Sequence, residues 1–139
     1  MTRREIRDSA FKLIFEKLFR DDSLEELYAV CEEIDEITIN AAVKEMAEGV
    51  IGHAEELDAL ISKYSVKRQL QRIPKVSVAI LRIAFYEIIY DDKTPVNAAI
   101  KEAVLLAEEY ASDSDTAFIN GVLGVYSREE QEEAVNGDA

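Results

Sequence analysis

The chain reads as an all-α protein, a compact bundle of about seven helices. Three observations predict this class. Apolar residues recur at helical spacing along most of the sequence. Its 5 glycines and 2 prolines are too few for the turn that an all-β chain needs roughly every 8–12 residues. Polar, cap-forming clusters fall between the periodic stretches. With 139 residues, 48% hydrophobic and 32% charged, the chain has the composition of one folded domain rather than of a disordered segment.

The elements follow in order. A first helix over about Arg3–Arg20 carries Ile6, Ala10, Leu13, Ile14 and Leu18 on one face. Arg4, Phe11 and Phe15 form a second row, with Arg7 between the rows. Phe11 and Phe15 either widen the core stripe or offer rings to a ligand. Asp21-Asp22-Ser23 is a turn with Ser23 as N-cap, and a second helix spans about Leu24–Glu36 with Leu27, Tyr28, Cys31 and Ile34 inward. Thr38 or Asn40 caps a third, long helix reaching Tyr64, in which Gly49 and Gly52 signal close packing or a kink. Val66–Ile73 is a basic connector or short fourth helix, stopped by Pro74. The fifth helix, about Val76–Tyr90, is apolar nearly all round and therefore central; within it, Arg82 and Glu87 must reach the surface or find partners. Thr94-Pro95 starts a sixth helix ending near Tyr110. The polar run Ser112–Asp115 introduces a seventh, about Thr116–Glu130. The single domain is expected over residues 1–131, with 132–139 as an acidic, frayed tail.

Composition narrows the function classes. No apolar run approaches the roughly 18 residues of a membrane span. The basic N-terminus has no apolar segment behind it of the kind that marks secretion. A single cysteine, Cys31, forms no internal disulfide and suits a reducing compartment. The expected location is cytoplasmic.

Charge is unevenly placed. The chain carries a formal −13, yet residues 1–20 hold Arg3, Arg4, Arg7, Lys12, Lys17 and Arg20 against only Glu5, Asp8 and Glu16. Residues 66–82 hold Lys67, Arg68, Arg72, Lys75 and Arg82 with no acid at all. Salt screens charges beyond roughly 8 Å, so local fields decide what binds. Two cationic islands on an acidic chain point to an anionic partner, nucleic acid first among them.

Catalytic signals are thin. His53, the only histidine, has Glu48 and Glu56 nearby on the same helix, too few ligands for a structural metal site. Gly121–Gly124 sits inside a helical pattern and is no phosphate loop. No nucleophile, base and orienting group can be assembled. The chain is expected to be no enzyme and to need no cofactor or metal.

Three blocks carry a resemblance: A-I-L-R-I-A-F-Y-E-I (Ala79–Ile88), T-P-V-N-A-A-I-K-E-A-V-L-L-A (Thr94–Ala107) and F-I-N-G-V-L (Phe118–Leu123). With the arginine-rich opening R-R-E-I-R-D-S-A-F-K-L-I-F (Arg3–Phe15), the chain resembles the NusB family of bacterial transcription antitermination factors. The resemblance implies seven helices in two packed bundles. It implies a non-catalytic protein that pairs with NusE, a small-subunit ribosomal protein. The pair would bind the single-stranded boxA element of nascent RNA in ribosomal RNA operons, within the transcription elongation complex. The family's RNA-contacting positions fall on Arg3, Arg4, Arg7, Phe15, Ser114, Asp115 and Phe118. Phe15 stands where many relatives have tyrosine, and Ala117 where some carry lysine. NusE is expected at the connector and the helix after it, at Arg72, Lys75, Arg82 and Glu87. Some NusB-like proteins also form homodimers. Two other readings are a protein–protein adaptor without RNA contact and the NusB-like domain of an RNA methyltransferase.

Overall fold

The computed structural model describes residues 1–137. Among them are seven α-helices and one 3₁₀ turn, and no strand. The helices are α1 (Arg3–Lys17), α2 (Leu24–Cys31), α3 (Ala41–Gly52), α4 (Ala54–Tyr64), α5 (Lys75–Tyr90), α6 (Val96–Tyr110) and α7 (Asp113–Gly137); the 3₁₀ turn is Leu70–Arg72. The expected class and helix count hold, but the count is reached differently. The long third helix is two helices, and the connector supplies a single 3₁₀ turn.

The centre is α5, which packs on α1, α3, α4, α6 and α7. Its sequence explains this, because Ile80, Leu81, Ile83 and Phe85, on different faces, are all almost fully buried. Around it, α1 packs on α2 and α3, and α7 packs on α4 and α6. No described helix is long and apolar enough to cross a membrane.

Helix ends follow local chemistry. Thr2 and Glu5 form a reciprocal capping box at α1: Glu5 N donates to Thr2 Oγ1 at 3.1 Å and Thr2 N donates to Glu5 Oε1 at 2.8 Å. The α-helix closes at Lys17 rather than Arg20, since Leu18 N donates to Phe15 O and Phe19 N to Glu16 O in tighter 3₁₀-type turns. Ser23 caps α2 as expected, accepting from Glu26 N at 3.2 Å. That helix stops at Cys31, short of Glu36, because Glu32, Glu33, Asp35 and Glu36 would crowd negative charge onto a negative helix C-terminus. Ile34, expected inward, is exposed in consequence.

The two glycines of the third segment have separate roles. Gly49 sits under Tyr86: a Cβ there would lie 2.2 Å from the tyrosine oxygen, so α3 and α5 approach closely at this point. Gly52 ends α3, and the chain turns at His53 (φ −106°, ψ 16°) before α4 begins. The half-exposed His53 ring stacks on Tyr90 with centroids 4.3 Å apart. At the other end of the chain, α7 starts at Asp113 and runs to Gly137, so the acidic stretch read as a tail from Glu132 is helical up to that residue. Residues 138–139 lie outside the described residues.

Candidate nucleic-acid interface

The first turns of α1 place three arginines beside three carboxylates from α5, α6 and the loop between them. Arg3 pairs with Asp91 and stands 3.6 Å from Glu87. Arg4 makes a two-point contact with Glu102, at 2.8 and 3.0 Å, while its side chain remains 68% exposed. Arg7 is buried, donating to Glu87 at 2.5 and 2.7 Å and to Glu102 at 3.4 Å. Arg4 holds the Glu102 carboxyl below its ordinary pKa by hydrogen bonding, with Arg7 adding to the effect.

These pairings correct two expectations. Arg7 is a structural cation with no surface for a phosphate, and Glu87, assigned to a protein partner, is 1% exposed and serves Arg7. The acids that balance Arg3, Arg4 and Arg7 lie 80 to 98 residues away, whereas Lys12 and Arg20 pair with their sequence neighbours Asp8 and Asp22. A signal for this existed in Glu87, a carboxylate in an apolar helix that needed a cation.

A ladder of rings leads from the core along α1. Phe11 is buried and stacks on Tyr110 at 4.8 Å; Phe15, half-buried, stacks on Phe11 at 5.7 Å; Phe19 meets Phe15 edge-on at 5.1 Å and is 58% exposed. Phe11 therefore widens the core, and Phe15 is a core-flanking ring with partial access. Phe19 is the ring the sequence reading missed, although its i+4 spacing from Phe15 announced it. Lys75 lies over Phe19 at 4.7 Å and Arg72 is exposed, whereas Arg82 is drawn to Asp58 by two contacts of 2.8 Å. Of the four residues assigned to a partner, only Arg72 and Lys75 offer a surface.

The start of α7 forms a second cluster. Ser112 Oγ accepts from Asp115 N at 3.0 Å and donates to Asp115 Oδ2 at 2.9 Å, capping the helix. Ser114 is exposed in the first turn. Arg68 from the connector donates to Asp115 at 2.8 Å, which holds that carboxyl below its ordinary pKa. The Arg68 guanidinium lies 4.4 Å from the centroid of the half-buried Phe118 ring. An open groove of about 450 Å³ continues from there between the connector and α7.

The two clusters are joined through α6 rather than by direct contact. Arg4 and Arg7 meet α6 at Glu102; eight residues on, or about 12 Å at 1.5 Å per residue, Tyr110 receives Phe11 and donates to Asp8 at 2.6 Å. The α7 cluster begins just past that point. Among the described residues, no group of His, Cys, Asp and Glu has the arrangement of a metal site.

Comparison with known proteins agrees with this architecture. Residues 4–128 match the model of the NusB family. The transcription antitermination protein NusB of Agathobacter rectalis is 38% identical over 131 residues, covering 91% of this chain and all of that protein. The Bacillus subtilis protein of the same name is 37% identical, covering 88% of this chain and 92% of the relative. Among solved structures, T. maritima NusB superposes with a TM-score of 0.79 at 30% identity, covering 93% of this chain and 92% of that one. A chain from a crystal structure of antitermination factors NusB and NusE in complex with dsRNA superposes at 0.77 with 26% identity, covering 91% and 96% respectively. By its sequence over most of its length and by its fold, the chain belongs to the NusB family.

Proposed function

We propose that this protein is a non-catalytic antitermination factor that binds single-stranded boxA RNA of ribosomal RNA operons together with NusE, as part of an elongation complex. The observation that carries the reading is the near full-length similarity to a chain from a structure of NusB and NusE with dsRNA, joined to relatives named as antitermination proteins. The surface fits the role. Arg3 and Arg4 are exposed cations on a chain of net −13, Ser114 and Phe118 lie in the first turns of α7, and Phe15 is a partly accessible ring on α1. Unpaired bases are held by stacking, and phosphates by Arg and Lys. Asp115 and Arg7 act behind this surface, orienting Arg68 and the base of α1.

The α1 arginines must exchange a carboxylate for a phosphate when RNA arrives. That exchange lowers affinity for this subunit alone and gives NusE a reason to be needed. The test is fluorescence anisotropy with a boxA oligoribonucleotide, with and without NusE, across a salt series. About three neutralised phosphates on a single strand give a slope of log K against log salt near −2. Arg4→Glu weakens RNA binding and leaves NusE binding intact. Equal RNA binding by wild type and Arg4→Glu, at every salt concentration, would count against the reading.

The adaptor alternative is favoured by one observation. Exposed Phe19, with Lys75 over it and Arg72 nearby in sequence, is a surface of protein-binding character. It predicts NusE binding with no RNA retention by the pair.

A further inference from the structure

The groove between the connector and α7 differs from the α1 island in one respect: its cations outnumber the acids that face it. Lys67, Arg68 and Arg128 line it, and among the described residues no carboxylate does. Its apolar walls include Val66, which is 79% exposed, with Val122 and Val125 from α7. Arg128 folds back along α7, its Nη1 within 3.5 Å of where a Cβ on Gly124 would stand. Volumes of this order suit a small planar group with a few polar contacts.

At one end of the groove lies a prepared platform. The Arg68 guanidinium rests on Phe118, 4.4 Å from its centroid, and Asp115 holds it there at 2.8 Å. A guanidinium is planar, weakly hydrated and always charged, so a base can stack on it while its charge serves a phosphate. Phe118 thus has one face covered by Arg68.

We infer that this groove takes one nucleotide of the bound RNA strand, its base stacked on the Arg68–Phe118 platform and its phosphate held by Lys67 and Arg128. The inference rests on the RNA reading above and adds Lys67, Arg68 and Arg128, none of them among the expected site residues, to the RNA-contacting surface. Asp115 is a positioning residue in this scheme, since it fixes the plane of Arg68. Charge complementarity favours an RNA strand over a protein segment, because three cations face an apolar slot on an otherwise acidic chain.

The test uses the full chain with NusE and a boxA oligoribonucleotide. Arg68→Ala is expected to weaken binding about tenfold. Arg68→Lys keeps the charge and loses the plane, so affinity falls while the salt slope stays. Lys67→Ala and Arg128→Ala each make the slope shallower by about 0.7. Gly121→Leu tests occupancy independently: Gly121 lines the groove and nothing lies within 4 Å of its Cβ position, so a side chain added there projects into the slot. It is expected to weaken RNA binding while thermal stability stays at or above that of wild type. If wild type fails to retain RNA, this inference and the RNA reading fall together. If Arg4→Glu weakens binding while the Arg68 and Gly121 variants match wild type, the groove assignment alone is overturned. Uridine monophosphate serves as the free-nucleotide probe. Saturable binding of it that Arg68→Ala abolishes, with RNA affinity unaffected by that substitution, also overturns the assignment.

Discussion

Arg7 and Glu87, 80 residues apart in sequence, form a two-point ion pair at 2.5 and 2.7 Å inside the protein, both nearly inaccessible to water. The pair joins α1 to the central α5. Arg3 and Glu102 flank it, so the charges are shared across a small network.

Breaking that pair should be costly. Removing one partner leaves a buried uncompensated charge, and Arg7→Ala is expected to lose about 3–5 kcal/mol in chemical denaturation. The double variant Arg7→Met, Glu87→Leu should be more stable than either single variant, because no orphaned charge remains. A double variant no better than Arg7→Ala would show that Arg7 stabilises through its other contacts. Arg7 is accordingly unsuited to testing RNA contact, and Arg4 is the residue to change.

Two glycines should respond oppositely to alanine. At Gly49 the new Cβ would fall 2.2 Å from Tyr86 Oη and 2.4 Å from its Cζ. That ring is hemmed by His53 and Tyr90, so Gly49→Ala should cost about 1–2 kcal/mol. Gly121 lies inside α7 with open space around it, and Gly121→Ala should gain up to ~1 kcal/mol from helix propensity. Thermal melts of the two variants, side by side, check both signs.

Acid should loosen the contact between α1 and α6 and the one between the connector and α7. Glu102 and Asp115 both have folded pKa values below their ordinary 4.5 and 3.8, each chiefly through a hydrogen bond from an arginine. A depressed carboxyl pKa contributes stability that is fully present above the unfolded pKa and lost as pH falls through the folded one. The melting temperature should therefore hold steady near neutrality and drop below about pH 4. Glu102→Gln should flatten that acid limb, and an unchanged profile would remove Glu102 from the account.

Cys31 should be silent to thiol reagents in the native state. It is 1% exposed, and burial raises its thiol pKa, so little thiolate forms at neutral pH. Labelling with a chromogenic disulfide should proceed at the rate of unfolding and become fast in denaturant.

The helical class, the order of helices and the central position of α5 were legible because they follow from local rules, apolar spacing and caps such as Ser23; the sixth helix starts one residue later than Thr94-Pro95 predicts, with Pro95 as its N-cap and Val96 its first residue. The family was legible from the blocks Ala79–Ile88, Thr94–Ala107 and Phe118–Leu123. The break at His53 was half legible, since Gly49 and Gly52 announced either packing or a kink and each supplies one of the two. Charge was the part that local reading could not resolve. Which arginines remain free depends on carboxylates brought from distant segments, and a count along the chain cannot see Glu87 beneath Arg7, Glu102 beside Arg4 or Asp58 against Arg82. Only the tertiary structure removed Arg7 and Glu87 from the surface and set Arg68 on Phe118. Backbone preferences and apolar periodicity act over a few residues, whereas the pairing of charges is settled by which helices touch.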